Sequence, residues 1–262
     1  MLPFLHVSEA LERVLDSARP TAEEVVSLQA ANGRVLSRPV VARRTQPPFD
    51  ASAMDGYAVH ADDVANVPCD LELVGTSAAG AGYSGEMHRG KAVRIFTGAP
   101  LPPGGDTIVI QENTERIGES IVRILETSPP GKHIRKRGFD FVEGDVLLDA
   151  GRALDPAALS LAAAGNHPEL FTWKRPLVAL IATGDELVSP GNEPAEDQIV
   201  SSNAYGVGAI VENSGGRIID PGIARDDEPV IRALVERAVE SGADIIVTLG
   251  GASVGDHDLV NQ

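Results

Sequence analysis

The sequence predicts a multidomain α/β protein: an interrupted α+β first domain, a β-rich domain inserted into it, and a partial αβα sandwich with a parallel sheet at the C-terminus. Three observations predict it. From Pro176 onward, apolar strand-like runs alternate with helical stretches, the pattern of parallel strands joined by right-handed crossovers. From Ala51 to Gly131 the texture is instead short β-type runs punctuated by Gly, Pro, Asn and Asp. Helical patterns stand on both sides of that stretch, two before it and an alanine-rich one after it. The expected domains are residues 1–46 with 132–175, the insert 47–131, and the sandwich 176–262.

Composition bounds the possibilities. At 262 residues the chain is long enough for about two cores. Aromatic residues make up only 4%, so the cores must rest on Val, Leu, Ile and Ala. A net charge of −16 repels nucleic acid and anionic membrane, and neither is expected as a partner. The single cysteine, Cys69, has no partner for a disulfide or a thiolate metal cluster, which suits a reducing compartment. The N-terminus lacks a basic n-region and a long apolar h-region, and no apolar run approaches the ~20 residues of a membrane span. A cytoplasmic location is expected.

In chain order, Val7, Leu11, Val14, Leu15 and Ala18 share one helical face, with Ser8 as cap and Pro20 as stop. A second helix is expected next, from the capping-box spacing of Thr21 and Glu24 to Asn32-Gly33. Pro47-Pro48-Phe49-Asp50 stiffens the passage into the insert. The insert's expected strands are Tyr57–Val59, Leu71–Val74, Ala92–Phe96, Thr107–Ile110 and Ile121–Leu125. Val146–Leu148 reads as a strand, and Asp155-Pro156 opens a helix to Ala164 that should pack with the first two. The sandwich then reads Leu177–Ala182 (strand), Asn203–Asn213 (helix), Arg217–Ile219 (strand), Glu228–Ser241 (helix) and Ile245–Leu249 (strand).

In parallel sheets ligands bind at the carboxyl ends of the strands. There this sequence places Thr183-Gly184-Asp185-Glu186, then Arg225-Asp226-Asp227, then a glycine-rich run from Gly250 through Gly251, Ser253 and Gly255 to Asp258. Glycine-loop amides suit anions, and clustered carboxylates suit a hard divalent cation bridging them to a phosphate or oxyanion. The plainer alternative is a tight strand-to-helix turn with a solvated acidic rim. The run has neither GxGxxG spacing nor the Gly-Lys-Ser/Thr end of a P-loop, which disfavours dehydrogenase and NTPase readings. No histidine pair has zinc-ligand spacing. Ser52-Ala53-Met54-Asp55-Gly56-Tyr57 places an acid beside a glycine, equally readable as a plain Asp-Gly turn. Lys132–Arg137 concentrates cations in an acidic chain, either as a solvated loop or as an attractor of anions.

Five blocks then occur in order across nearly the whole chain: Pro47-Pro48-Phe49-Asp50-Ala51-Ser52-Ala53-Met54-Asp55-Gly56-Tyr57-Ala58-Val59; Arg94–Pro100 with Gly105-Asp106 and Glu112; Arg137-Gly138-Phe139-Asp140; Thr183–Leu187; and Gly250–Gly255. In that order and spacing the sequence resembles the molybdopterin molybdenumtransferases, bacterial MoeA and the gephyrin E-domain. The resemblance implies a homodimer that uses Mg²⁺ to insert molybdate into adenylylated molybdopterin, releasing AMP. It implies Asp55, Thr97, Asp140, Glu186, Asp226 and Asp258 as catalytic residues. Glu186, Asp226 and Asp258 are the implied metal carboxylates, and Gly184, Gly250, Gly251, Ser253 and Gly255 the pterin-nucleotide loops. The implied site is similar to a cleft between one subunit's sandwich and the other's first two domains, and the molybdopterin adenylyltransferase is an implied partner. Two other functions stay open: a non-catalytic pterin-binding or scaffold module, and another Mg-dependent phosphoryl-transfer enzyme. Because the family continues beyond the third sandwich strand, C-terminal truncation is expected, with an incomplete sandwich and a chain inactive alone.

Overall fold

The computed structural model describes residues 5–250. They fall into two compact units. One draws on residues through Arg38, on Ala150–Leu159 and on residues from Glu169 onward; the other comprises Pro39–Asp149 and Ser160–Pro168. No helix among the described residues is long and apolar enough to cross a membrane.

In the first unit, the sheet that matters for the site has three parallel strands in the order Arg217–Ala224, Leu177–Thr183, Ile245–Leu249. The central strand is β-branched and apolar, and Val178 through Thr183 are all buried, as expected when both faces are covered. Its side chains alternate. Ile181 packs with Ala224 and Ile231 beneath the helix Glu228–Glu240, while Leu180 lies with Ile218 against Gly208 of the helix Asn203–Asn213. The two helices therefore flank opposite faces, and each buried Ile or Leu contributes roughly 1.5–3 kcal/mol. Ile245–Leu249 pairs only with the central strand among the described residues. None of its residues is fully buried, and Ile245 is 51% exposed.

The same unit corrects two expectations. Residues 21–32 do not form a helix: Glu23–Ser27 is a strand paired antiparallel with Glu169–Trp173, followed by a short 3-10 turn at Leu28–Ala30. The Thr21 hydroxyl, expected as a cap, instead donates to the Lys174 carbonyl at 2.6 Å. Adjacent Val25-Val26 suits a strand, and a partner more than 140 residues away outweighs the local capping pattern. The first helix does form, over Val7–Ser17, but His6 rather than Ser8 stands at its cap, and no residue of it is buried. The expected helix over Pro156–Ala164 does form.

The second unit is built on a six-stranded mixed sheet. Its order is Thr107–Ile110, Gly56–Val59, Lys91–Ile95, Cys69–Ser77, Ile121–Ile124, Thr114–Ile117. Only the contact between Cys69–Ser77 and Lys91–Ile95 is parallel. Gly56–Val59 is buried on both faces: Tyr57 and Val59 enter one apolar cluster, with Leu71, Val109 and Ile124, and Ala58 enters another with Ile95 and Ile108. A Cβ on Gly56 would collide with the Val109 carbonyl, so this glycine lets two strands approach and is no turn residue. Asp55 is thereby held at the entrance to a fully buried strand.

Candidate functional site

Two recesses, one on each unit, take in some of the predicted residues: Glu186 and Gly250 line the first and Asp140 the second, while Gly184, Asp226, Asp55 and Thr97 are not among their lining residues. In the first unit a cavity of about 160 Å³ opens at the carboxyl ends of the parallel strands, lined by Thr183, Glu186, Ser201, Ser202, Asn203 and Gly250 among others. Strand geometry brings these together. The central strand ends at Thr183, its neighbour at Leu249, and the helix starting at Asn203 presents its amide-rich N-terminus to the same place. The chain between them is tied down by a short parallel ribbon, Leu187–Val188 with Ile199–Val200. The Ile199 N–H donates to the Glu186 carbonyl at 2.8 Å, and the Ser201 N–H to Val188 at 2.9 Å.

Two glycines shape this recess. Gly250 has φ +107°, and a Cβ there would lie 2.5 Å from the Thr183 carbonyl oxygen. Gly184 has φ +150° and is buried, and the Glu186 carboxylate folds back over the space its side chain would fill. The Thr183 hydroxyl is buried without a hydrogen-bond partner among the described residues. A buried, unsatisfied hydroxyl costs roughly 1–3 kcal/mol, so it is the kind of atom a bound polar group relieves. Beside it, the Asp226 N–H donates to Asp185 Oδ1 at 3.3 Å, linking the loops after two strands. The described carboxylates offer the hard oxygen donors that Mg²⁺ takes, yet among the described residues no group of three or more His, Cys, Asp or Glu could hold a metal ion. Gly251, Ser253, Gly255 and Asp258 lie outside the described residues.

In the second unit the predicted acid and hydroxyl meet directly. Asp55 Oδ1 accepts the Thr97 N–H at 2.7 Å and the Thr97 hydroxyl at 2.8 Å. These two bonds, aided by the charge of Arg94, hold the Asp55 carboxyl below its ordinary range. Asp55 Oδ2 has no partner among the described residues. Arg94 lies over the rings of Tyr57 (5.1 Å) and Phe96 (4.8 Å) and donates to the Gly56 carbonyl at 3.0 Å, so its charge is fixed beside the pair. The same unit carries a recess of about 200 Å³, lined by Pro47, Pro48, Ser52, Gly98, Arg135 and Asp140 among others. Asp140 is exposed on its rim, anchored by its backbone N–H to the Gln46 carbonyl at 3.0 Å.

The cation cluster divides by role. Lys136 Nζ and the Arg137 N–H both bind the Asp50 carboxylate at 2.8 Å, and together they hold its carboxyl below the ordinary range. Lys132 is 3.8 Å from Glu126. Arg135, with no ion pair among the described residues, is the cation of the cluster that lines the recess. Sequence reasoning placed Thr183 and Asp185 at the strand end without giving either a role of its own, and it passed over Arg135 as the individual cation, Ser201 and Ser202. A threonine closing an apolar strand and Ser-Ser-Asn opening a helix were the available signals.

Comparison with known proteins covers most of the chain. Residues 5–165 match the family model described as "MoeA N-terminal region (domain I and II)", and residues 179–262 match "Probable molybdopterin binding domain". The chain is 40% identical over 252 residues to a molybdopterin molybdenumtransferase of Nostoc sp., covering 95% of this chain and 57% of that protein. It is 34% identical to one of Haemophilus influenzae, covering 98% and 63%. The crystal structure of a molybdopterin biosynthesis moeA protein from Pyrococcus horikoshii OT3 superposes with a TM-score of 0.84 at 31% identity, over 92% of this chain and 65% of that one. The chain thus spans about six-tenths of the length of the curated relatives it matches.

Proposed function

The chain belongs to the molybdopterin molybdenumtransferase (MoeA) family, and from that premise we propose that it acts in molybdenum cofactor biosynthesis, inserting molybdate into adenylylated molybdopterin with release of AMP. The observation that carries the reading is the strand-end recess, where an unsatisfied buried Thr183 hydroxyl faces Gly250 beside the N-terminus of a helix. Amides and a hydroxyl converging where no Cβ intrudes are what a phosphate needs, and the helix dipole favours its negative charge.

Each group then has a task. The amides of Ser202 and Asn203 and the Thr183 hydroxyl bind the phosphate of the adenylylated pterin, and Gly184 and Gly250 keep the backbone close to it. Glu186 and Asp226 are the described carboxylates that would contribute to a Mg²⁺ site together with Asp258; the ion, when bound, draws charge from the phosphoanhydride. Asp55, kept ionised by Thr97, holds a fixed negative charge with Oδ2 open, and Arg135, which lines the second recess, attracts the oxyanion there. Asp140 borders the same space. The reading extends to three domains with the boundaries 1–46 with 132–175, 47–131 and 176–262, to a homodimer, to the molybdopterin adenylyltransferase as the supplier of substrate, and to a cytoplasmic location.

The test is direct. Incubated with adenylylated molybdopterin, molybdate and Mg²⁺, the protein should release AMP, and omission of molybdate or Mg²⁺ should stop it. Tight pterin binding without AMP release under all these conditions would replace the transferase by a binding module.

A further inference from the structure

Two buried serines hold the Asp55–Thr97 pair in place, and neither belongs to the chemistry above. Ser52 is 1% exposed and Ser77 0%, and they end two different strands, Ala51–Ser52 and Cys69–Ser77. Between them they pin the turn that carries Thr97 on both sides. The Ser77 carbonyl accepts the Phe96 N–H at 3.2 Å, and its hydroxyl donates to the Pro100 carbonyl at 2.7 Å. The Ser52 carbonyl accepts the Gly98 N–H at 2.8 Å, and its N–H donates to the Ala99 carbonyl at 2.9 Å. Residues 96, 98, 99 and 100 are thereby fixed by serines. Thr97 alone turns its amide and hydroxyl to Asp55.

The Ser52 hydroxyl works on the opposite arm. It donates to the Met54 carbonyl at 2.5 Å and accepts the Met54 N–H at 3.3 Å, fixing both peptide groups of the residue before Asp55. From this geometry we infer that Ser52 and Ser77 are positioning residues: one hydroxyl on each arm sets the approach of Asp55 Oδ1 to Thr97. The pair lies 42 residues apart in sequence, so each arm must be stiff by itself for two short bonds to form. Removing either hydroxyl takes away a bond to a backbone carbonyl of its arm, Met54 on one side and Pro100 on the other, and leaves that arm free to shift. A displacement of about 1 Å at such a pair costs up to 10²-fold in rate.

The inference rests on the proposed reaction only for its kinetic arm. The other arm is spectroscopic: the Thr97 amide resonance follows the Asp55 carboxyl as it titrates, because that amide donates to Asp55 Oδ1. The charge of Arg94, on the strand Lys91–Ile95, also bears on this titration, and it stays unchanged in the variants. In Ser52→Ala and in Ser77→Ala the midpoint read at Thr97 should rise toward the ordinary carboxyl value, and kcat for AMP release should fall about tenfold with KM within twofold. Ser52→Cys, which keeps the volume and a weak donor, should lie between. Val122→Ala removes buried apolar volume from the same unit and should lower Tm without moving the midpoint. If the serine variants behave like Val122→Ala, losing Tm with the midpoint unmoved, the positioning role is wrong. Should the wild type release no AMP, the proposed reaction fails while the midpoint still decides the positioning role.

Discussion

The two recesses use carboxylates in opposite ways. On the second unit two acids are already held by the protein: Asp55 takes two bonds from Thr97 through Oδ1, and Asp50 takes one from Lys136 and one from the Arg137 amide. At the strand ends, Glu186 and Asp226 have no side-chain hydrogen bond or ion pair among the described residues, and the Thr183 hydroxyl below them is unsatisfied. The first arrangement is preorganised by the protein; the second is open to a partner that supplies charge or hydrogen bonds. The difference teaches where substitutions should cost function alone and where they should also cost the fold.

The largest effect should come from the open site. Glu186→Gln and Asp226→Asn remove charge without bulk, so AMP release should fall about a thousandfold while Tm in the absence of metal holds or rises, because repulsion among neighbouring carboxylates falls. A falling Tm would mean that the protein itself already uses these acids, and the contrast would collapse.

At the preorganised site Asp55→Asn should cost about a hundredfold in AMP release and also lower Tm, since a neutral amide accepts the two Thr97 bonds more weakly. Calorimetry beside the kinetic assay reads both. Activity lost with Tm intact would make Asp55 as open as Glu186.

A smaller effect, on stability alone, separates backbone from side chain at the strand ends. Gly250→Ala should destabilise by roughly 1–3 kcal/mol, because its φ of +107° is strained for an L-residue and the new Cβ meets the Thr183 carbonyl. Gly206, exposed within the helix Asn203–Asn213 and with open space beside it, is the internal control. Gly206→Ala should instead stabilise by about 0.4–1 kcal/mol. Chemical denaturation of the two variants checks both signs.

The smallest effect concerns pH. Asp55 is lowered in the folded protein, so its contribution to stability is fully present above the unfolded carboxyl value of about 3.9 and is lost as pH falls through the lower folded value. Wild-type Tm should therefore drop more than that of Asp55→Asn between pH 5 and pH 3, by about one degree. Equal drops would remove Asp55 from the preorganised class.

Much of the sandwich was legible from local pattern. Apolar runs located the strands at Leu177–Ala182 and Ile245–Leu249, the helix Asn203–Asn213 was found although Ser202 rather than Asn203 stands at its N-cap and no side chain caps it, and strand-end logic led to Glu186 and Gly250, which line one recess. Asp55, Thr97 and Asp140 came from the family resemblance, since no spacing rule links them. Other strands escaped: Thr114–Ile117 carries too many polar residues for a pattern reading, Leu187–Val188 is too short, and Glu169–Trp173 owes its place to a partner strand more than 140 residues away.

The sequence by itself determined what depends on neighbours a few residues away: the alternation of strand and helix after Pro176, the glycine turns, the acidic strand ends, and the order of motifs that marks the family. Tertiary structure alone decided what depends on distant partners. Residues 23–27 satisfy a helical capping pattern and still form a strand, because Glu169–Trp173 offers a complete antiparallel ladder, and its hydrogen bonds and packing outweigh a capping preference worth about 1 kcal/mol. Gly56 reads as a turn until the Val109 carbonyl shows why no side chain fits. The same holds for the meeting of Asp55 with Thr97, which needs two arms held rigid by buried serines on separate strands, a relation that closure of the sheet creates and local spacing does not encode.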